Sequence, residues 1–329
     1  MHLVLDTPGT ALLKEQEQFC VKYTHGKQLV HPEKVRLISL SQGIQASTDA
    51  ILLAIQHEIE ILFVNRGGDP RGRVWSNRFG SISTIRKNQV YFITTSKATG
   101  FILDLLREKL NNQVALLLSL KEEAKNQQHD LEKSMGKLLN AHDSLAQYEG
   151  ELIRDCANSL RGIEGSASRL YWQSIGQLLP EAYRFSERSR RPAKDMFNAL
   201  LNYAYGMLYG ILEGAVIRAG IDPYLGILHR DEYNRPVLVY DLIEKYRAWP
   251  DYVVTGLCMQ RVIQPEFFDI VKENDYWLNS EGKRILIQSV NDYLDEHMVI
   301  EGKERSRRTH MDLFCQDFAG MLKRFVQIG

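Results

Sequence analysis

The residue pattern of the chain changes once, near Lys97, from short β-forming segments to helix-forming segments. This change limits the folds that the chain can adopt. Before that point the apolar segments HLVLD, ALLKEQEQFCVKY and KVRLISL are short, rich in β-forming residues and separated by TPG, THGK and HPEK. Short runs bounded by Gly, Pro and polar residues are typical of β-strands. After that point nearly every segment is rich in Leu, Lys, Glu and Gln, which favour helices. Strands at one end and helices at the other predict an α+β fold.

The same change predicts two domains. We expect a small β-rich N-terminal domain over residues 1–90, a linker over 91–98 and a larger all-helical domain over 99–329. One helix, STDAILLAIQHEI, interrupts the strands and has Ser47 or Thr48 as its N-cap. The segment EILFVNRG that follows is predicted to be another strand. In the helical part, the polar segment KEEAKNQQHDLEK is predicted to be a solvated face or the exposed tip of a helical hairpin.

Composition excludes several classes of protein. Lys plus Arg equals Asp plus Glu at 41 each, so any surface for nucleic acid must come from local segregation of charge. The four cysteines lie far apart without a CxxC pair, which predicts neither a zinc site nor a disulfide framework and fits a reducing cytoplasm. The N-terminus MHLVLDTPGT lacks the apolar run of a signal peptide. No segment approaches the ~20 apolar residues of a membrane span, so no membrane is expected.

The segment GILHRDEYNRPVLVYDLIEKYR, residues 226–247, places two acids inside an apolar run. Asp241 and Glu244 are three residues apart and therefore share one face of a helix. Pro236, just upstream, favours a helix start near Val237 or Leu238. Acids in the first turns of a helix are common because they suit its dipole. The simpler interpretation of the pair is thus an acidic face that looks away from the core.

Glu164 and His229 are the other candidates for a polar site. Glu164 stands in RGIEGSASRLYW among small residues, which let another helix, a ligand or a phosphate come close. The alternative is a close contact between helices with Glu164 merely exposed, and a lone histidine such as His229 is usually a surface or hydrogen-bonded residue. Two carboxylates and an imidazole would suit Mg²⁺ or Mn²⁺, and the imidazole favours Mn²⁺. A cation would also offset the cost of burying the acids.

Several separate motifs, in the right order, resemble one known family. RGIEGSASRLYW is similar to its GxEGxAARxYW segment, and NALLNYAYGMLYG to its NALLNYGYxLL segment. AGIDPYLGILH and RPVLVYDLIEKYR are similar to AGLDPxxGxLH and RPSLxxDLxExFR. These segments belong to the Cas-one family, the CRISPR-associated integrase (endonuclease) of spacer acquisition. The resemblance covers nearly the whole chain, with small departures at Ser166, Ser168 and Ala204.

The resemblance implies a β-strand N-terminal domain, an α-helical catalytic domain, a homodimer, and assembly on DNA with a smaller Cas-two partner. The family's metal ligands fall on Glu164, His229 and Glu244, which implies bound Mg²⁺ or Mn²⁺. Asp241 falls on an acidic position that supports activity, and Tyr240 on an aromatic position near the active site. The resemblance also implies that the enzyme joins the 3′-hydroxyl of a prespacer duplex to a CRISPR repeat, and that it acts as an endonuclease when water attacks. Two alternatives remain open: a hydrolytic metal-dependent nuclease and a non-catalytic DNA-binding assembly subunit.

Basic residues near these motifs are candidates for contacts with double-stranded DNA, although a charged run is usually a solvated loop. Two flank Glu164, and five lie in the segment YRFSERSRRPAK: Arg161, Arg169, Arg184, Arg188, Arg190, Arg191 and Lys194. A second, weaker candidate is GKERSRR, which carries Lys303, Arg305, Arg307 and Arg308. Tyr171 and Trp172 are expected to lie in the core rather than to stack on bases.

Overall fold

The computed structural model describes residues 1–74, 83–121, 128–190, 192–230, 232–233, 235–271 and 275–325. Strands dominate the first part and helices the rest, which confirms the predicted α+β fold. The strands are β1 His2–Leu5, β2 Ala11–Glu15, β3 Gln18–Tyr23, β4 Gly26–Val30, β5 Leu37–Ser41, β6 Gln45–Ala46, β7 Glu60–Val64, β8 Pro70–Val74, β9 Phe268–Val271, β10 Asp275–Leu278, β11 His297–Ile300 and β12 Lys303–Ser306. The helices are α1 Thr48–Gln56, α2 Ser83–Ile93, α3 Ser96–Ser119, α4 Gln128–Ser144, α5 Ile153–Leu178, α6 Met196–Arg218, α7 Val237–Ile243, α8 Ala248–Met259, α9 Ser280–Asp295 and α10 Arg307–Arg324.

The N-terminal strands form two four-stranded sheets, in the orders β1-β5-β7-β8 and β4-β3-β2-β6. The segment ALLKEQEQFCVKY, predicted as one strand, is instead the hairpin of β2 and β3. The chain reverses at Gln16 and Glu17, which have φ values of 49° and 58°. Two successive residues with positive φ give a turn whose twist matches that of the strands. The prediction was wrong because neither residue is the Gly, Asn or Asp that normally marks such a turn.

Helix α1 has the predicted start. Ser47 is its N-cap, and its hydroxyl accepts a hydrogen bond of 3.2 Å from the backbone N–H of Ala50. The helix buries Ala50, Leu53 and Ala54 in a small core that also contains Leu12, Phe19, Ile38 and Ile61. The two sheets and this helix therefore enclose a core of their own.

The other face of the first sheet packs on the helical part. Because side chains alternate along a strand, β7 sends Ile61 into the small core and Leu62 and Val64 into the large helical core. At the centre of that large core lies α6. In its most apolar stretch of 18 residues, 78% of the residues are buried. By length and hydropathy α6 could span a membrane, a property that the sequence analysis missed. Its burial is that of a core helix.

Helix α6 approaches the sheet closely because it presents glycines at every fourth position. A Cβ atom added at Gly206 would lie 2.7 Å from the carbonyl oxygen of Gly68, and one at Gly210 would lie 2.6 Å from Leu62 Cδ2. One at Gly214 would overlap the carboxylate of Glu60. This row of glycines, the glycine stripe of α6, lets the helix backbone approach the backbone of Gly68 and the side chains of Leu62 and Glu60.

A buried ionic network crosses the same contact. Arg73 on β8 pairs with Glu60 on β7 and with Glu213 on α6, and Arg218 donates to Glu60 Oε2 at 3.0 Å. Burial raises the pKa of Glu60, and the positive charges of Arg73 and Arg218 oppose that rise. Each buried charge therefore has an opposite charge beside it across the contact.

The predicted linker, 91–98, contains the end of α2, a turn at Thr94 and Thr95, and the start of α3. Helix α2 packs against α10. The side chain of its Gln89 donates to the carbonyl of Asp222 at 2.9 Å and accepts from the same residue's N–H at 3.0 Å. The segment just before the linker is therefore attached to the helical part. Of the polar segment predicted at 121–133, residues 122–127 lie outside the described residues and residues 128–133 form the start of α4.

We predict that Gly206→Ala lowers the free energy of unfolding by about 1–3 kcal/mol, because a backbone oxygen cannot move aside as a flexible side chain can. The measurement is urea unfolding followed by circular dichroism. Gly100→Ala on α3 is the matched control, since no atom of the described residues lies within 4 Å of the added Cβ. That substitution should instead add about 0.5–1 kcal/mol. Equal effects of the two changes would contradict close packing at α6.

Candidate active site

One large open cavity, of about 1590 Å³, lies where α3, α5, α6 and α7 meet the end of the first sheet. Side chains of both charges line it, together with aromatic rings: Lys109, Gln113, Glu164, Arg169, Trp172, Arg188, Arg190, Tyr205, Tyr209, His229, Arg235, Tyr240, Arg247 and Asp251.

Helix α7 begins at Val237, as predicted, but its acids do not face away from the core. Asp241 is 2% exposed and Glu244 is 6% exposed. Glu244 opens a single 3₁₀ turn, Glu244–Tyr246, that links α7 to α8. The expectation of a solvated acidic face was wrong, because other parts of the chain supply each carboxylate with partners.

Asp241 fixes the loop that carries His229. Its carboxylate accepts hydrogen bonds from the backbone N–H groups of Ile227 at 2.6 Å, Leu228 at 3.1 Å and His229 at 3.0 Å. It also pairs with His229 Nδ1 at 2.7 Å. Because a carboxylate only accepts, Nδ1 carries the proton and Nε2 is left as a lone-pair donor. The ring lies beside Tyr240, with 5.9 Å between the two ring centroids.

Glu164 on α5 and Glu244 are joined by a lysine. Lys109 Nζ pairs with Glu164 Oε1 and lies 2.6 Å from Glu244 Oε2. Arg247 Nε donates to the other oxygen of Glu244 at 2.8 Å. Burial would raise the pKa of Glu244, but Arg247 and Lys109 lower it to about 2, so this carboxyl is ionised at neutral pH.

These residues are of the types that bind a metal ion. Within the described residues, no three His, Cys, Asp or Glu side chains gather closely enough to hold one, since the Lys109 ammonium stands between Glu164 and Glu244. Glu244 Oε2 is nevertheless buried and has no hydrogen bond of good geometry in this part of the chain. Two carboxylates, one with an underused oxygen, and an imidazole nitrogen form a donor set suited to Mg²⁺ or Mn²⁺.

The sequence model of the family described as "CRISPR associated protein Cas1" matches residues 3–292. The chain belongs to the Cas1 (Cas-one) family. It is 32% identical, over 98% of its own length and 96% of the relative's, to "CRISPR-associated endonuclease Cas1 1" of Archaeoglobus fulgidus.

Two solved structures have the same fold as this Cas1 chain. A casposase bound to integration product has a TM-score of 0.85 at 18% identity, covering 99% of this chain and 91% of that one. A Cas6-RT-Cas1–Cas2 complex has a TM-score of 0.79 at 22% identity, covering 98% of this chain and 35% of that one. At such identities the likeness concerns the fold alone.

Two arginines predicted to bind DNA have their donors occupied inside this Cas1 fold. Arg161 donates to the carbonyl of Leu228 at 2.7 Å and to Asn158 at 2.6 Å, and so holds the His229 loop. Arg188 donates to the side chains of Asn198 at 2.6 Å and Asn202 at 2.7 Å. These contacts give both arginines a positioning role.

The other predicted DNA contacts differ in their surroundings. Arg169 and Arg190 are exposed and line the cavity. Arg184 donates to the carbonyl of Leu179 at 3.2 Å, and Lys194 pairs with Asp275 at 2.7 Å. Arg191 lies outside the described residues.

The weaker candidate, GKERSRR, is divided between structure and surface. Arg307 pairs with Glu296 at 2.7 Å, and Arg308 with Asp295 at 3.1 Å, which ties α10 to the end of α9. Lys303 and Arg305 are exposed on β12.

The sequence analysis missed three polar residues of the site: Lys109, Gln113 and Asp251. A signal for the first two exists, since they interrupt the leucine-rich face of α3 one turn apart. Asp251 is buried below the cavity and accepts hydrogen bonds from Tyr171 at 3.0 Å and Tyr205 at 2.6 Å. Tyr171 is fully buried, as predicted, and Trp172 is partly buried.

We predict that Asp241→Asn costs about 2–4 kcal/mol of stability, because an amide N–H₂ would face backbone donors that now meet a carboxylate. Denaturant unfolding measures the loss. Asp222→Asn is the control, since its one bond to the backbone N–H of Tyr224, at 2.9 Å, survives the change. It should cost less than about 0.5 kcal/mol. Similar losses in both variants would refute the anchoring role of Asp241.

Asp251 predicts a specific dependence of stability on pH. Burial raises its pKa from 3.8 to about 6, although Tyr205, Tyr171 and Arg247 partly offset this. Between these values the folded chain keeps a proton that the unfolded chain has released, so this contribution to stability falls as pH rises. The free energy of unfolding of Asp251→Asn, relative to that of the wild type, should therefore rise by up to about 3 kcal/mol between pH 4 and pH 7.

Denaturant unfolding at a series of pH values tests this. Asp104→Asn, at an exposed position of α3, is the control and should track the wild type throughout. An Asp251→Asn profile parallel to that of the wild type would show that Asp251 does not titrate in this range.

Proposed function

We propose that this protein is a CRISPR-adaptation integrase, which joins the 3′-hydroxyl of a prespacer duplex to a CRISPR repeat by metal-dependent transesterification. The observation that carries the proposal is that Glu164 and His229 line a cavity together with arginines, and that Glu244 lies next to them, joined to Glu164 through Lys109. The relative named an endonuclease and the casposase bound to integration product support the same class of chemistry.

Glu164, Glu244 and Nε2 of His229 would hold Mg²⁺ or Mn²⁺, with Asp241 keeping His229 in the required tautomer. A divalent cation bound there would neutralise charge on the phosphoryl oxygens. Arg161 and Asp241 together immobilise the loop from Ile227 to His229, so the imidazole needs little reorganisation. Tyr240 packs beside the imidazole and restricts its rotation.

The bond change is isoenergetic to a first approximation. The 3′-hydroxyl of the incoming strand gives up its proton as its oxygen bonds to phosphorus, and the 3′-oxygen of the nucleotide that flanks the repeat leaves and takes up a proton. One phosphodiester replaces another, so no ATP is required. With water as the attacking group, the same site would act as an endonuclease.

DNA would be held through its phosphates by the basic side chains around the cavity. Exposed Arg169 and Arg190 remain the best of the predicted contacts, and Arg71, Arg86 and Arg235 line the same space. The chain has no net charge, so attraction must come from this local concentration. Binding should weaken steeply with salt.

We also propose a homodimer that assembles with a small Cas2 (Cas-two) partner, as the name of the Cas6-RT-Cas1–Cas2 complex suggests for its components. The four free, buried cysteines suit a reducing cytoplasm.

The test is an integration assay with a 3′-hydroxyl duplex, a repeat-bearing plasmid, and Mg²⁺ or Mn²⁺, with and without the small partner. Glu164→Ala should reduce strand joining by at least about 100-fold. Glu181→Ala, at an exposed position beyond α5, is the control and should join strands as the wild type does.

The same assay separates the alternatives. A duplex with 3′-dideoxy ends should abolish joining but not hydrolysis, so product that is only cleaved DNA would favour a nuclease. Joining that survives Glu164→Ala would favour a non-catalytic assembly subunit. No metal-dependent joining under any condition would overturn the integrase proposal.

A further inference from the structure

The C-terminal half of helix α3 carries two buried polar side chains among leucines. Leu106, Leu110 and Leu117 pack into the helical core. On the same face, Lys109 is 5% exposed and Gln113 is 4% exposed, and both line the cavity. They are four residues apart, which places their side chains next to each other on the helix surface.

Lys109 is positioned as a counter-ion. Its ammonium pairs with Glu164 and lies 2.6 Å from Glu244, so it holds together carboxylates from two elements. An ammonium buried to this degree is stable only beside negative charge. A divalent cation held by the same two carboxylates would repel the ammonium, because like charges a few ångströms apart in a buried site interact strongly.

Gln113 offers a second place for that ammonium. Its amide oxygen is buried and has no hydrogen-bond partner among the residues that the structure describes. A buried acceptor without a partner is costly and rare in native proteins. The adjacent Asn112 differs, since its amide donates to the carbonyl of Lys245 at 3.1 Å. The free acceptor on α3 is thus one turn from the lysine and faces the same cavity.

We propose that Lys109 is a displaceable counter-ion: it holds Glu164 and Glu244 together until a divalent cation binds, and its ammonium then moves to the amide oxygen of Gln113. This inference rests on the proposed metal site. Lys109 is accordingly a positioning residue that keeps the metal-free site ordered, and metal must compete with it for the carboxylates. No covalent bond changes; one cation replaces another.

The experiment measures Mn²⁺ binding by titration, with free Mn²⁺ followed by its electron paramagnetic resonance signal, alongside the Tm of the metal-free protein. Lys109→Met keeps the length of the side chain and removes its charge. It should bind Mn²⁺ about tenfold more tightly, because the competing cation is gone. Its metal-free Tm should fall by about 5 °C, because the two carboxylates lose their shared partner.

Lys245→Met is the matched control. Lys245 follows Glu244 directly but pairs with Glu108, at 2.6 Å, outside the carboxylate pair. This variant should lose less than about 2 °C in Tm and bind Mn²⁺ as the wild type does. Equal Mn²⁺ affinity of Lys109→Met and the wild type, or weaker affinity in the variant, would overturn the inference.

Gln113→Leu tests the second half of the proposal without removing a charge. It eliminates an unpaired buried acceptor, so the metal-free Tm should stay level or rise. Mn²⁺ binding should weaken about fivefold, because the displaced ammonium loses its acceptor. Unchanged Mn²⁺ affinity would remove Gln113 from the proposal.

Glu164→Gln distinguishes failure of this inference from failure of the proposed function. If Glu164→Gln binds Mn²⁺ as the wild type does, the metal site itself is misassigned. If Glu164→Gln loses binding while Lys109→Met gains none, the metal site stands and only the counter-ion role is overturned.

Discussion

The rest of the structure depends on how two carboxylates, those of Asp241 and Glu244, are stabilised away from water. The chain uses two different solutions within one short segment. Asp241 accepts hydrogen bonds from three backbone N–H groups and from an imidazole, and these bonds fix the conformation of a loop. Glu244 forms ion pairs with a lysine and an arginine, and these pairs hold α3 against α7 and α8. The interior of the helical part is therefore arranged around charge as much as around leucine.

Sequence patterns predicted what depends on local periodicity and capping. The α+β division, the Ser47 cap and the start of α7 all follow from features within a few residues. The hairpin at Gln16 and Glu17 was missed because the pairing of β2 with β3 holds ordinary residues at positive φ. The burial of the acids was missed because most of their partners, the loop at 227–229 and Lys109, come from outside their own helix.

The candidate site divides in the same way. Motif resemblance named Glu164, His229 and Glu244. The fold places Glu164 and His229 in the wall of one cavity and Glu244 next to them, in contact with Lys109. Lys109 was missed because a lysine within a long helix resembles any solvated helix former unless its position on the leucine-rich face is taken into account. For Arg161 and Arg188, predicted as DNA contacts, the structure shows hydrogen bonds to groups of the protein itself. An arginine in a motif looks the same whether it awaits a phosphate or already holds a carbonyl or an amide.

The glycine stripe of α6 has a consequence for how the protein is made. One face of the first sheet, which includes Ile61, packs in the small core with α1. The opposite face, which includes Leu62 and Val64, is covered by α6, and α6 is synthesised much later. At translation rates of 5–20 residues per second, roughly ten seconds pass between the synthesis of Val64 and that of α6, and during this time Leu62 and Val64 are not covered by that helix. During synthesis this nascent sheet is thus a natural client for chaperones that bind apolar surface.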